Sequence, residues 1–439
     1  VKKIPTDSAF ANRMHGERMA AARPFGTGGL TARQAQALIR AARTAECVPS
    51  YLSDLEGAGP VGSLERSMQH LLGVRHVLAV SSGTAALHAA LLAMGIGPGD
   101  EVIVSPYTWG QSVAPVLFTG ATAVFADIDP DSLCLEPRSV SERISRKTKA
   151  VVPVHLFGHT ADMASLGRIA EARGISLVAD AAHSLGATLA GRTTAQWGHA
   201  ACFSLGRGKL VSGGEGGLLA TDDTGLYERA VQATQHQTRL RRELRPTSEG
   251  LWTDDLAHNY RIHPLAAVLA LADMEILEKR LAHRRSVWFE FQEGSGEIPF
   301  VTWPQGQPSE CWAAYGIPLG FISNQCGVSR EHFAAVAQKA GIPVRCGPVR
   351  IPIHLRPTFR ESAMGARPRP PRQEHPTHQP GSCPVAERRC KRQELWVLST
   401  VDMDGLTPAE AHNLGRRLKR ICEKMVPEVG GGFTSLHMD

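Results

Sequence analysis

Short apolar runs alternate with helical stretches along the chain from Val74 onward. VLAV (77–80) is followed by AALHAALLAM (85–94), which reads as a helix. A turn, Gly95-Ile96-Gly97-Pro98-Gly99-Asp100, leads into EVIV (101–104). TAVFAD (122–127), AVVPVHL (150–156), SLVAD (176–180), ACFSL (201–205) and GLLAT (217–221) continue the series, with a helical stretch at Met163–Arg173. Such runs, separated by helices, predict an α/β fold with a mainly parallel sheet covered on both faces. In such sheets ligands bind beyond the carboxyl ends of the strands. The polar residues just past each run are therefore the ones to examine.

Outside this region the pattern changes. Residues 1–60 are mixed and polar, with one helical stretch near Thr31–Thr44. His263–Arg285 predicts one long helix, opened by Pro264 in its first turn. A second, smaller unit of mixed strands and helices follows and closes with a helix near Pro408–Val426. Within it, ARPRPPRQEHPTHQP (366–380) reads as an exposed loop, because its prolines lack amide donors. The expected division is a large domain over 61–290 and a small domain built from 1–60 and 291–439.

Composition narrows the classes. A chain of 439 residues has room for more than one domain. The formal net charge of +6 is too mild and too dispersed for a nucleic-acid surface. Nine cysteines occur without a CxxC pair, so neither a zinc ribbon nor a redox pair is expected, and no metal site. The N-terminal lysines have no apolar stretch behind them, and no run has the length of a membrane helix. The expectation is a cytoplasmic enzyme with no membrane partner.

Four segments place chemistry just past a strand. Ser81-Ser82-Gly83-Thr84 precedes the 85–94 helix, where free amides and the helix dipole suit a phosphate; a plain N-cap is the simpler reading. Tyr107-Thr108-Trp109 offers an aromatic to a flat ring, or simply core packing. Asp180, with His183 three residues on, suits a protonated ring nitrogen, since a carboxylate at a buried strand end needs a cation; it also suits a turn cap. Lys209 lies in the glycine-dense stretch from Phe203 to Gly217, in the manner of a Schiff-base lysine whose pKa is lowered by burial, although lone lysines are commonly solvated. Each is weak alone, but their order and strand-end placement agree on one site. GRGK lacks the first Gly and the Ser/Thr of a Walker loop, and the stretch around Ser184 lacks the first Gly of a nucleophile elbow.

The segments SSGTAALHAAL, GIGPGDEVIV, PYTW, GATAVFADID, PVHLFGHTADM, DAAHSLGA, FSLGRGKLVSGGEGG, NYRIHPLAA and CPVAER resemble the DegT/DnrJ/StrS family of pyridoxal-phosphate (PLP) aminotransferases, which act on keto-sugars and cyclitols. The resemblance runs from about Val61 to Arg285 and is patchier beyond. It implies PLP fold-type I, with Lys209 as Schiff-base lysine and proton carrier, Asp180 as partner of the ring nitrogen, and Trp109 and His183 on opposite sides of the ring. Ser82, Gly83, Thr84 and Ser204 would hold the phosphate. Asn259, supported by Arg261, would reach the phosphate of a neighbouring subunit, which implies a homodimer; a loop hydrogen bond within its own chain is the alternative. GKLVSGGEGG with DAAH resembles the branch that aminates cyclitols in antibiotic pathways. The implied reaction is ping-pong, from L-glutamine or L-glutamate to a ketone. The rivals are a sugar dehydratase on the same fold, in which the lysine is replaced by His, and a PLP-binding regulator. Two departures bear on the substrate. Arg350, in RIPIH, would favour an anionic group if it faced the site. The basic run 239–245 would bind an anion or be solvated.

Overall fold

The structure, a computed structural model, describes residues 30–44, 53–244, 256–360 and 375–425. Its centre is a seven-stranded sheet in the order β1-β9-β8-β5-β4-β2-β3. The strands are β1 (His76–Val80), β2 (Glu101–Val104), β3 (Thr122–Phe125), β4 (Thr148–Val152), β5 (Ser176–Asp180), β8 (Ala200–Ser204) and β9 (Gly217–Thr221). The β2/β3, β2/β4, β4/β5 and β5/β8 pairs are parallel, whereas β9 runs antiparallel to both β1 and β8. The sheet is buried on both faces, and the period of two shows it. Leu78 and Val80 of β1 enter one apolar cluster, and Val77 and Ala79 the other. A short hairpin, β6 (Thr188–Leu189) and β7 (Arg192–Thr193), is joined by β11 (Glu310–Cys311).

The smaller unit carries an antiparallel sheet in the order β10 (Val301–Thr302), β12 (Ile317–Phe321), β14 (Glu394–Val397) and β13 (Val344–Cys346). Helices Leu277–Ser295 and Pro408–Met425 pack on one another through glycines. A Cβ on Gly294 would strike the backbone of His412, and one on Gly415 the backbone of Phe291. Helix Ala32–Thr44 reaches the large sheet's layer, where Gln34 donates from Nε2 to Asp273 at 3.1 Å.

Two expectations fail here. The long helix over His263–Arg285 is two helices, Pro264–Met274 and Leu277–Ser295, with a break at Glu275-Ile276. The apolar pattern is continuous, but Asp273 and Arg280 pair across the break at 3.2 Å and both hold the Lys209 loop. Arg280 Nη1 donates to the Leu210 carbonyl at 2.6 Å, and the Ser212 amide donates to Asp273 at 3.1 Å. The proline-rich stretch also departs from an exposed loop over its described residues, 375–380. Thr377 and His378 are buried, and they satisfy the open edge of β3. The Phe125 amide donates to Thr377 Oγ1 at 3.0 Å, and His378 Nε2 lies 2.8 Å from the Ala123 carbonyl. Residues 366–374 lie outside the described residues.

Candidate active site

The sheet brings three of the four segments to one edge by register. Val80, at the end of β1, and Ser204, at the end of β8, both pair with Gly217, and Asp180 pairs with Cys202. The chain crossing there is so close that a Cβ on Gly217 would strike the Ser82 backbone, and one on Gly83 would sit 3.0 Å from Ser204 Cβ. Ser82 is the N-cap of helix Gly83–Ala93, and its Oγ accepts from the Ala85 amide at 3.0 Å. The first-turn amides of Gly83 and Thr84 have no partner within the helix. Both residues line a cavity of about 450 Å³ together with Trp109, Asp180, His183, Ser204 and Lys209.

Asp180 is fixed at the floor of this cavity through both its main chain and its carboxylate. Its amide donates to the Pro153 carbonyl at 2.8 Å, and its carbonyl accepts from His155 at 3.0 Å. Its Oδ1 accepts from the Ala182 amide at 3.1 Å. Burial raises the carboxyl pKa, while hydrogen bonds from Ser112 and the Ala182 amide and the charge of Lys209 oppose that rise. Ser112 lies 2.9 Å from Thr108 Oγ1, so the segment after β2 supports Asp180 directly.

Lys209 leaves a loop that needs its glycines. Gly208, Gly214 and Gly216 have φ of 82°, 82° and 139°, where a side chain would be strained. Burial lowers the Lys209 pKa to about 8, against the attraction of Asp180. Its ammonium sits 4.7 Å from the centroid of the Tyr315 ring. His183 is driven well below its ordinary pKa by burial and by Lys209, so it is a neutral imidazole. The Phe157 amide points at its Nδ1 at 3.4 Å.

The structure thus gathers Ser82, Gly83, Thr84, Trp109, Asp180, His183, Ser204 and Lys209 around one cavity. The Trp109 and His183 rings touch edge to face, 4.8 Å apart at 88°. The flat partner of His183 is Tyr315, stacked at 3.8 Å and 11°. Asn259 is exposed and outside the cavity. It lines a surface pocket with His236, Gln237 and Arg261. Arg350 is exposed and does not line the cavity, whereas His354 is buried against Glu387 at 3.0 Å. Arg239, from the basic run, is neither solvated nor open to a ligand. It is 1% exposed and paired with Glu65 at 2.9 Å, while Arg245 lies outside the described residues. Ser184 is fully buried, as a discarded nucleophile should be.

Sequence reasoning missed Ser112, Tyr315 and Trp396. Ser112 follows from register, since it falls in the first turn of helix Gly110–Phe118 beside Thr108. Tyr315 and Trp396 carry no such signal.

A model of the DegT/DnrJ/EryC1/StrS aminotransferase family matches residues 53–401. The chain belongs to this family. Over 309 residues it is 32% identical to the spore coat polysaccharide biosynthesis protein SpsC of Bacillus subtilis (strain 168), spanning 69% of this chain and 79% of that protein. Over 228 residues it is 36% identical to the GDP-perosamine synthase of Caulobacter vibrioides, spanning 52% of this chain and 60% of that protein. The crystal structure of 3-amino-5-hydroxybenzoic acid (AHBA) synthase superposes with a TM-score of 0.76 at 26% identity, covering 91% of this chain and 99% of that one.

The chain is therefore a PLP-dependent aminotransferase of fold-type I. The cavity fits the cofactor on its own chemistry. A helix N-terminus and Ser204 suit a phosphate, a lysine of lowered pKa suits an aldehyde, and a buried carboxylate suits a ring nitrogen. No helix among the described residues is long and apolar enough to cross a membrane.

Proposed function

We propose that this aminotransferase moves an amino group from L-glutamine or L-glutamate to a ketone on a cyclitol or keto-sugar ring. In this reading it works in aminoglycoside-like secondary metabolism, as a cytoplasmic homodimer in which Asn259 of each subunit reaches the phosphate of the other. The observation that carries the reading is Lys209 and Asp180 in one cavity with aromatic walls, Trp109, Tyr315 and Trp396. Aromatic faces suit the C–H faces of a ring, and Gln111 and Glu215 on the same lining suit its hydroxyls. The names of two relatives, a GDP-perosamine synthase and a spore coat polysaccharide protein, support a carbohydrate acceptor. The cyclitol preference rests on GKLVSGGEGG and DAAH.

PLP, when bound, supplies the electron sink that lets a proton leave the carbon bearing the nitrogen. Lys209 Nζ takes that proton and returns it one position along, a task suited to an amine with a pKa of about 8. Asp180, held in place by Ser112 and the Ala182 amide, would offer its carboxylate to the ring nitrogen. Neutral His183 adds no charge to the wall that it forms with Trp109 and Tyr315.

The test is an absorbance spectrum of the protein with PLP, before and after L-glutamine or L-glutamate, beside Lys209→Ala. The expected result is a band near ~420 nm that depends on Lys209 and falls on addition of donor. Lys209→Ala should then lower transfer by roughly 10³-fold or more. A Lys209-dependent band that ignores both donors would overturn the donor assignment. A band that persists in Lys209→Ala would overturn the role of the lysine.

A further inference from the structure

The large and small units share a polar contact that is sealed from solvent. Tyr107, just past β2, donates from its hydroxyl to Glu394 Oε1 at 2.6 Å, and both residues are 0% exposed. Glu394 opens β14, and the strand period puts Trp396 on the same face. The large unit answers with two residues at the same spacing, Tyr107 and Trp109. The Trp109 and Trp396 rings meet edge to face, 6.5 Å apart at 79°, and both line the cavity. Phe157 lies among them, 6.4 Å from Tyr107, 6.1 Å from Trp109 and 6.2 Å from Trp396. Its amide is the one that points at His183. A hydrogen bond at the back and an aromatic contact at the front therefore belong to one interface.

Packing alone does not call for an acid here. Burying a carboxyl group is costly unless its bonds are made, and Glu394 Oε2 has no hydrogen-bond partner among the described residues. Gly347 leaves it no slack, since a Cβ there would run into the carboxylate. The cost is offset by Tyr107, by the Val349 amide at 3.5 Å and by the nearby Arg389 charge, and Tyr107 is the partner that the segment after β2 brings to the small sheet.

We infer that Glu394 is a positioning residue for substrate. By holding Tyr107 it docks β14 against the end of β2 and fixes Trp396 against Trp109, closing the outer wall of the cavity. This rests on reading the cavity as the transamination site.

The test compares the PLP-loaded protein with E394A, Y107F, E394Q and W396A in the half-reaction with L-glutamate and with L-glutamine. A second readout, the rate at which hydroxylamine strips the cofactor, needs no donor. Loss of a buried hydrogen bond to an acid should raise the donor concentration for half-maximal rate about tenfold in E394A and Y107F. Hydroxylamine stripping should speed up in the same variants, and W396A should follow both trends. In E394A and Y107F the maximal rate constant and the Lys209-dependent band should hold. E394Q, which still accepts the Tyr107 bond, should restore near-parental half-saturation. Unchanged half-saturation and stripping in folded Y107F would overturn the inference, as would failure of E394Q to rescue. A loss confined to thermal stability would overturn it too. If E394A does not fold, Y107F, which removes a single oxygen atom, decides. A parent protein that ignores both donors would count against the transamination reading, and hydroxylamine stripping would still judge the contact.

Discussion

Two cations in the large domain, Arg239 buried and Lys209 half-buried, have opposite surroundings. Arg239 is 1% exposed, and its Nη2 donates to both oxygens of Glu65 at 3.0 and 2.9 Å. Tyr227 lies 3.2 Å away and Glu243 3.1 Å away. Burial works against that charge, but Glu65, Tyr227 and Glu243 outweigh it, and the pKa ends above the ordinary arginine value. Lys209 is also largely removed from water, yet it faces the Tyr315 ring, and burial outweighs Asp180. The first cation is locked in its charged form. The second is poised to lose its proton. Burial alone therefore does not make a reactive group; what decides is whether the protein supplies enough opposite charge to offset it.

The comparison breaks most readily at Arg239. Arg239→Leu leaves the Glu65 carboxylate buried without its cation, which should cost about 3–5 kcal/mol of stability, read from urea unfolding. The double variant Glu65→Leu/Arg239→Leu should recover most of that loss, because two apolar side chains leave no charge stranded. Equal losses in the single and the double variant would mean that Arg239 acts by packing, and the contrast with Lys209 would fall. Lys209→Ala should show no such loss, since its removal strands no tightly bound partner.

The same contrast explains what the sequence could show. The strand ends were legible because each is an apolar run followed at once by polar or glycine residues, and parallel order brings such ends to one edge. Asp180, Ser204, Lys209 and the Ser82–Thr84 turn could be placed together on that ground. Trp396 and Tyr315 could not. They reach the cavity from the small unit, one within β14 and one just before β12, and a single aromatic in such a segment looks like core. Charge was the least legible property. Arg239 reads like its exposed neighbours Arg241 and Arg242, and only the distant Glu65 sets it apart. The break at Glu275 was hidden for a similar reason, because the apolar pattern runs through it and the Asp273–Arg280 pair across it is tied to the distant Lys209 loop. The burial of Thr377 and His378 depends on the open edge of β3, which local composition does not report.

A smaller effect sharpens the comparison by its dependence on pH. The Lys209 pKa is lowered from 10.5 to about 8 in the folded chain. Below pH 8 the folded and unfolded chains both hold the proton, and the folded chain bears the cost of a buried charge. Between pH 8 and 10.5 the unfolded chain still binds a proton that the folded chain has released, so this residue's contribution to stability rises with pH across that window. In cofactor-free protein, Lys209→Met should therefore be the more stable by about 1–2 kcal/mol at pH 7, allowing for partial screening by solvent. That advantage should shrink as the pH is raised from 8 to 10.5, and thermal unfolding across this range measures it. An advantage that stays flat with pH would mean that Lys209 keeps its proton throughout. The lysine would then belong with Arg239 among the locked cations, and proton transfer would need another group.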